Sequence, residues 1–75
     1  MKEKIIEILA DAAGMKAEDI TPEMDFAKDL GINSVEFADV AFSCEEEFDI
    51  EINEKDFRKI RTVADLMNYI DKLGA

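Results

Sequence analysis

The chain has no histidine, no tryptophan, one cysteine and one proline among its 75 residues. Without histidine, neither a Ser-His-Asp nor a Cys-His nucleophile system can be assembled from it. Zinc sites that need histidine or several cysteines are excluded as well. One cysteine cannot form an internal disulfide, and nothing points to an oxidising compartment. Long apolar runs are also missing. The segment Met1-Lys2-Glu3-Lys4-Ile5-Ile6-Glu7 offers no stretch long enough for a signal peptide or a membrane span. The expectation is a soluble protein of a reducing compartment, the cytoplasm by default. The length suits one small domain over residues 1–75, and such a chain buries only about 60% of its unfolded surface. A hydrophobic fraction of 48% argues against disorder.

Positive charge is scarce. There are 9 Lys+Arg against 19 Asp+Glu, a net of −10. The imbalance is local: residues 18–56 hold 14 acids and 2 bases, whereas the rest hold 5 acids and 7 bases. Such a surface repels nucleic acid and anionic membranes and attracts proteins with basic patches. It also serves simply to keep a small protein in solution.

No repeat, low-complexity tract or internal linker interrupts the chain. On a helical wheel Ile5, Ile6, Ile8, Leu9, Ala12 and Ala13 share an arc of roughly 160°, with Glu3, Lys4, Glu7 and Asp11 opposite. This predicts an amphipathic helix over about residues 2–13, ended by Gly14. Thr21-Pro22 then breaks any helix. Residues 15–33 read as a long ordered loop pinned to the core by Met15, Ile20, Met24, Phe26 and Leu30, with one turn near Asp25–Asp29. Long loops in small domains are uncommon and often functional. Gly31 permits a sharp turn before the next element.

A second helix is predicted from about Ser34 to Phe48. Asn33 serves as N-cap and Glu36 completes a capping box. A short element follows at about Asn53–Ile60, opening with N-x-x-D. The last helix begins at Thr62 with Asp65 at its third position, buries Val63, Leu66, Met67, Ile70 and Leu73, and closes at Gly74. Phe48–Asn53 alternates only briefly between apolar and polar residues. The expected fold is all-α: a small four-helix bundle of three main helices and one short one, with a long ordered loop between helices 1 and 2.

The second helix has two apolar faces. Phe37, Val40, Ala41, Cys44 and Phe48 cluster within an arc of roughly 100° and form the core face. Val35, Ala38 and Phe42 lie on the far side, flanked by Glu36, Asp39, Glu45 and Glu46. That second stripe is either covered by loop residues such as Met24 or Phe26, or left open as an apolar patch rimmed by carboxylates, suited to docking a protein.

Ser34 heads this helix. Taken alone, it is a helix-terminus serine chosen for local hydrogen bonding. Its surroundings are more specific. The run Asp29-Leu30-Gly31-Ile32-Asn33-Ser34-Val35-Glu36 resembles the prosthetic-group attachment site of acyl carrier proteins. Glu45-Glu46-Glu47-Phe48-Asp49-Ile50-Glu51-Ile52 is similar to the acidic end of that family's second helix and the loop after it. Ile60-Arg61-Thr62-Val63-Ala64-Asp65 resembles the start of the last helix. The Gly-x-Asn-Ser-Val core alone would be weak; the matches together extend over essentially the whole chain in the same order.

The resemblance, to the free-standing bacterial type, implies an acyl carrier domain over residues 1–75. Ser34 would hold a 4′-phosphopantetheine group through a phosphodiester. A phosphopantetheinyl transferase would deliver it from coenzyme A, using Mg²⁺ of its own. The arm's thiol would carry acyl intermediates as thioesters to acyl-transfer and chain-elongation enzymes of fatty-acid or related lipid and polyketide biosynthesis. The chain itself would be a monomeric carrier, not an enzyme. Glu36, Asp39, Glu45 and Glu46 would meet basic docking patches, with Val35, Ala38 and Phe42 making the apolar contact between them. Phe37, Cys44, Phe48, Ile52, Ile60 and Leu66 would line a shelter for the acyl group, and as ordinary core residues they need no such role.

Three positions depart from the family's habit or invite another use. Asn33 stands where Asp is commonest, keeping the cap but removing a charge, and Val35 replaces a commoner Leu. Cys44 sits at an apolar core position, where a thiol behaves as a small hydrophobe. Two other readings remain beside the acyl carrier: a peptidyl or aryl carrier of a nonribosomal pathway, whose domains usually sit in longer chains with a less acidic second helix, and an unmodified acidic interaction domain. A calcium loop beginning at Asp49 fails, because Glu54 occupies the glycine position and Ile60 that of the bidentate Glu.

Overall fold

The computed structural model describes residues 2–74. Helix α1 covers Lys2–Ala13 and ends at Gly14, whose φ of +67° is the left-handed conformation glycine adopts without a Cβ penalty. Ile5 and Leu9 carry its buried face and Ile6, Ile8 and Ala13 pack partly against the core, whereas Ala12 is exposed, so the inward arc is narrower than the wheel suggests. Helix α2 covers Ser34–Phe48 and helix α3 covers Val63–Lys72. The order of elements and the long loop between α1 and α2 agree with the sequence.

The boundaries of α2 and α3 follow from their caps. Asn33 Oδ1 accepts the Glu36 N–H at 2.8 Å, and Glu36 Oε1 accepts the Asn33 N–H at 3.0 Å. Thr62 and Asp65 make the same reciprocal pair at 3.2 and 3.1 Å. Each box satisfies two helix-end donors that would otherwise lack a partner. Helix α2 stops where Asp49 turns left-handed at φ 53°, ψ 52°, a conformation that Asp tolerates better than bulkier residues. In α3, Val63, Leu66, Met67 and Ile70 are buried as expected, but Leu73 is 43% exposed because it lies past the helix end.

Two further details differ from the sequence reading. A short 3₁₀ turn, Ala17–Asp19, interrupts the first part of the long loop. The short element before α3 is a 3₁₀ segment, Glu54–Lys59, and its N-x-x-D start makes no capping box. The Asp56 N–H donates to the Asn53 carbonyl at 2.9 Å and Asn53 Oδ1 takes the Lys55 N–H at 3.0 Å. The Asp56 carboxylate instead accepts the Tyr69 hydroxyl at 2.6 Å, tying the segment to α3.

The loop over residues 15–33 is bound at both the side-chain and the backbone level. Ile20, Phe26, Leu30 and Ile32 are buried with the helices, and Met15 and Met24 pack at the edge. Its backbone is stitched to the start of α3: the Phe26 N–H donates to Arg61 O at 2.9 Å, the Val63 N–H to Met24 O at 3.0 Å and the Ala64 N–H to Pro22 O at 2.9 Å. An isolated antiparallel bridge joins Asp25 to Thr62. Pro22, the residue that breaks the helix pattern, thus provides an acceptor for α3. Between α2 and the 3₁₀ segment, Ile52 is buried and Ile50 half-buried while Glu51 is exposed, so the brief alternation is an extended stretch facing the core on one side.

Candidate functional site

The expected turn lies at Asp25–Asp29, where the Asp29 N–H donates to Asp25 O at 2.9 Å. Asp25 Oδ1 accepts the N–H groups of Ala27 and Lys28 at 2.8 and 3.0 Å, and Asp29 Oδ2 accepts the Asp25 N–H at 2.8 Å. The bond from the Lys28 N–H foremost holds the Asp25 carboxyl below its ordinary 3.8, helped by Ala27 and by the charges of Lys28 and Arg61. Gly31 then adopts φ +65°, with open space where a Cβ would stand, so glycine is required there for backbone conformation and not for room. Buried Ile32 donates its N–H to Phe26 O at 2.8 Å. The chain therefore reaches Asn33 in a single defined position.

Asn33 makes the cap, which leaves the Ser34 hydroxyl outside it. Ser34 is the first residue of α2 and is solvent-exposed. Its place is the positive end of a 15-residue helix, where anionic groups are favoured.

A groove of about 490 Å³ opens beside Ser34, between the Asp25–Asp29 turn, the first turn of α2 and the 3₁₀ segment. Its walls include Phe26, Ile32, Phe37, Phe57 and Ile60. The three rings stack in sequence: Phe26 to Phe37 at 5.0 Å between centroids, and Phe37 to Phe57 at 5.2 Å, nearly edge to face. Lys28, Arg58 and Arg61 stand along the same groove, all exposed.

Of the residues expected to line an acyl shelter, Phe37 and Ile60 border this groove, while Cys44, Phe48, Ile52 and Leu66 lie outside its lining. Cys44 and Leu66 are fully buried deeper in the core. Burial, and secondarily Glu45, pushes the Cys44 thiol up to about 11, so it stays protonated near neutral pH. Phe57 and the three cations escaped the sequence reading. Lys28 is one of only two bases within residues 18–56, which is the signal that would have drawn attention to it.

The outer stripe of α2 is open. Val35 is 73% and Phe42 59% exposed, and Ala38 is exposed between them. The loop cannot cover this stripe, because Phe26 packs on Phe37 and the loop backbone runs to α3. The flanking acids divide into two pairs. Asp39 and Glu46 are exposed. Glu36 and Glu45 are half-buried and bound to backbone, Glu36 in the capping box and Glu45 Oε2 accepting the Ile52 N–H at 2.8 Å. No helix among the described residues is long and apolar enough to cross a membrane.

Comparisons with known proteins agree with this architecture. Residues 3–70 match the family described as the phosphopantetheine attachment site. The chain is 40% identical over 70 residues to the acyl carrier protein of Syntrophus aciditrophicus (strain SB), covering 93% of this chain and 88% of that one. Among solved structures, the acyl carrier protein of Thermotoga maritima superposes with a TM-score of 0.79 at 33% identity, over 93% of this chain and 81% of that one. A Mycobacterium tuberculosis chain assigned to the acyl carrier proteins gives a TM-score of 0.86 at 27% identity, over 93% of each.

The chain belongs to the acyl carrier protein family, whose covalent cofactor is 4′-phosphopantetheine. Such a group requires an accessible hydroxyl, a setting that tolerates phosphate, and space alongside for the arm. The start of α2 and its neighbouring groove offer all three. Members of this family carry cargo for biosynthetic enzymes rather than transform it, and a phosphopantetheinyl transferase is among the proteins they meet.

Proposed function

We propose that the Ser34 hydroxyl is the tether of the 4′-phosphopantetheine arm and that the chain acts as a carrier with no catalysis of its own. The single observation that carries this is the division of labour at the start of α2. Asn33 takes the capping role that a serine would otherwise explain, and Ser34 is left exposed at the positive helix end. When bound, the arm supplies a thiol that holds an acyl group as a thioester. In the transferase's active site Ser34 Oγ would be the nucleophile that takes the arm's phosphorus from coenzyme A, the bond to the nucleotide phosphate breaking as 3′,5′-adenosine diphosphate leaves. The hydroxyl proton passes to a base of the transferase, since this chain has no histidine to receive it.

The outer stripe of α2 is the docking face for partner enzymes. Val35, Ala38 and Phe42 supply the apolar contact, and Asp39 and Glu46 steer basic patches onto it. Glu36 and Glu45 contribute charge there while also holding the backbone. Phe37 and Ile60 are the residues of the expected shelter that lie within reach of cargo at the groove. The cytoplasm, where coenzyme A and carrier-loading enzymes work on reduced thiols, is the compartment this role suits.

Intact-mass measurement after incubation with coenzyme A, Mg²⁺ and a phosphopantetheinyl transferase tests the tether. The expected result is the gain of one arm, absent in Ser34→Ala. Loading that persists in Ser34→Ala, or a wild-type chain that stays bare with competent transferases, overturns it.

A further inference from the structure

We propose that Lys28, Arg58 and Arg61 hold the nucleotide phosphates of coenzyme A during loading, so that the carrier completes, in trans, the anion site of the transferase that modifies it. This rests on the reading that Ser34 is the tether.

Positive charge is concentrated beside one hydroxyl. In a chain of net −10, residues 55–61 hold four bases, Lys55, Arg58, Lys59 and Arg61, against one acid, Asp56. Folding adds Lys28, because the Phe26 N–H donates to Arg61 O at 2.9 Å and brings the Asp25–Asp29 turn alongside. Lys28, Arg58 and Arg61 then border the same groove as Ser34, and all three are exposed. The carboxylates of these elements are engaged elsewhere. Asp25 Oδ1 accepts the N–H groups of Ala27 and Lys28, and Asp29 Oδ2 accepts the Asp25 N–H. Asp56 accepts the Tyr69 hydroxyl and pairs with Lys59, and Asp65 Oδ2 accepts the N–H groups of Arg61 and Thr62. Among the described residues, none of Lys28, Arg58 and Arg61 forms an ion pair.

The rest of the molecule selects the occupant. The protein measures 26 Å along its longest axis, only a few Debye lengths at physiological salt, each about 8 Å. Free polyanions and anionic membranes are therefore repelled by the acidic majority before they reach the three cations. An anion placed against them has to be carried by a protein whose own basic patch already offsets the acids of α2. Coenzyme A in the grip of its transferase is such an anion, and its diphosphate must come to Ser34 Oγ for loading to occur. As the Ser34 Oγ–P bond forms, the P–O bond to 3′,5′-adenosine diphosphate breaks. The hydroxyl proton goes to the transferase's base, and the electron pair stays on the leaving phosphate. Cations of the carrier stabilise that charge as an arginine supplied in trans does in other phosphoryl transfers.

The probe is 3′,5′-adenosine diphosphate, the leaving group, bound with Mg²⁺ to the transferase. Titration calorimetry at low salt compares the binding of apo carrier to the empty and to the nucleotide-filled enzyme. Filling should tighten wild-type binding roughly fivefold, the worth of one well-formed exposed ion pair. In Arg58→Gln/Arg61→Gln that ratio should fall to about one, with affinity for the empty enzyme unchanged, and Arg58→Lys/Arg61→Lys should restore most of it. Both side chains are exposed, and Arg61 enters the fold through its backbone N–H and carbonyl, so circular dichroism of the variants should match wild type. A wild-type ratio near one, or a ratio that persists in the Gln variant, overturns the proposal. So does an equal loss of affinity for empty and filled enzyme, since the cations would then meet acidic groups of the transferase. If the amides of Lys28, Arg58 and Arg61 shift between apo and holo carrier while the nucleotide ratio is indifferent to the Gln substitutions, the phosphate engaged is the arm's own, and the proposal falls. A chain that never loads at Ser34, seen by intact mass, sinks the underlying reading; normal loading with an indifferent ratio sinks this inference alone.

Discussion

Asp65 shows how much one carboxylate does in this chain. Hydrogen bonds from the Arg61 N–H foremost, then from the Thr62 backbone and hydroxyl, hold it below its ordinary 3.8, with the Arg61 charge adding to them. The carboxylate's charge at the helix N-terminus contributes roughly 0.5–1 kcal/mol. Because the folded value is depressed, that contribution is fully present above 3.8 and is lost as pH falls through the lowered value. Asp65→Asn keeps the shape and removes the charge. Its melting temperature at pH 7 should lie about 4 °C below wild type, and the gap should close at strongly acid pH, where protonated Asp65 resembles the amide. Calorimetry across pH checks this; a gap that widens in acid would show that the carboxylate acts through something other than its charge. Ser34 and Asn33 are a matched pair at the same scale: the cap belongs to one, and the hydroxyl is freed on the other.

Helix α2 has to satisfy a core and a partner at once, so its sequence is apolar on two sides. Phe37, Val40, Ala41 and Cys44 face inward, and Val35 and Phe42 face water. Burying the second stripe within the chain would need another element, and the loop that could supply it is held at α3 by three backbone hydrogen bonds from Phe26, Val63 and Ala64. Phe42→Ala should leave the melting temperature within about 3 °C of wild type, since exposed substitutions change stability by less than roughly 0.5 kcal/mol. The same variant should slow loading of Ser34 severalfold. Asp39→Lys/Glu46→Lys should also slow loading at low salt, with the difference from wild type shrinking as salt rises. Glu36 and Glu45 are poor choices for that experiment, because reversing either also removes a backbone hydrogen bond. Loading kinetics of the exposed pair that match wild type at every ionic strength would remove α2 as the docking face.

The whole molecule carries its charge unevenly, and this sets its response to ions. A net of −10 on 75 residues is opposed by few ion pairs: Lys4 with Glu7 and Glu47 at 3.8 and 3.9 Å, and Lys59 with Asp56 at 3.6 Å, are those formed among the described residues. Pairs this exposed contribute less than about 1 kcal/mol each. Self-repulsion among the acids of residues 18–56 is therefore the larger electrostatic effect. Raising NaCl from 10 to 200 mM shortens the Debye length from about 30 Å to under about 10 Å. The melting temperature should rise by several degrees as a result, and Mg²⁺ should achieve the same at lower concentration. A melting curve indifferent to both ions would mean that the carboxylates are spaced too widely to repel.

The amino-acid sequence by itself determined the three main helices and, except at the C-terminus of α3, their ends, because the caps are local. Asn33 with Glu36, Thr62 with Asp65, and Gly14 each act within one turn of chain, so residue identity and spacing suffice to place them. It also determined which residues of α1, α2 and α3 form most of the core, through their periodicity, and placed Ser34 at the head of α2. Only the tertiary structure decided whether the outer stripe of α2 stays open, since that depends on where the long loop goes, and the loop is held at α3 by main-chain hydrogen bonds whose partners no side-chain pattern specifies. The same holds for the groove. Phe26, Phe37 and Phe57 are separated by ten residues and more in the chain, and Lys28 meets Arg58 and Arg61 only after folding, so no local pattern announces them. Leu73 and the missing capping box at Asn53 show the converse: the pattern was present, but the helix ended first in one case and a tighter 3₁₀ turn took the donor in the other.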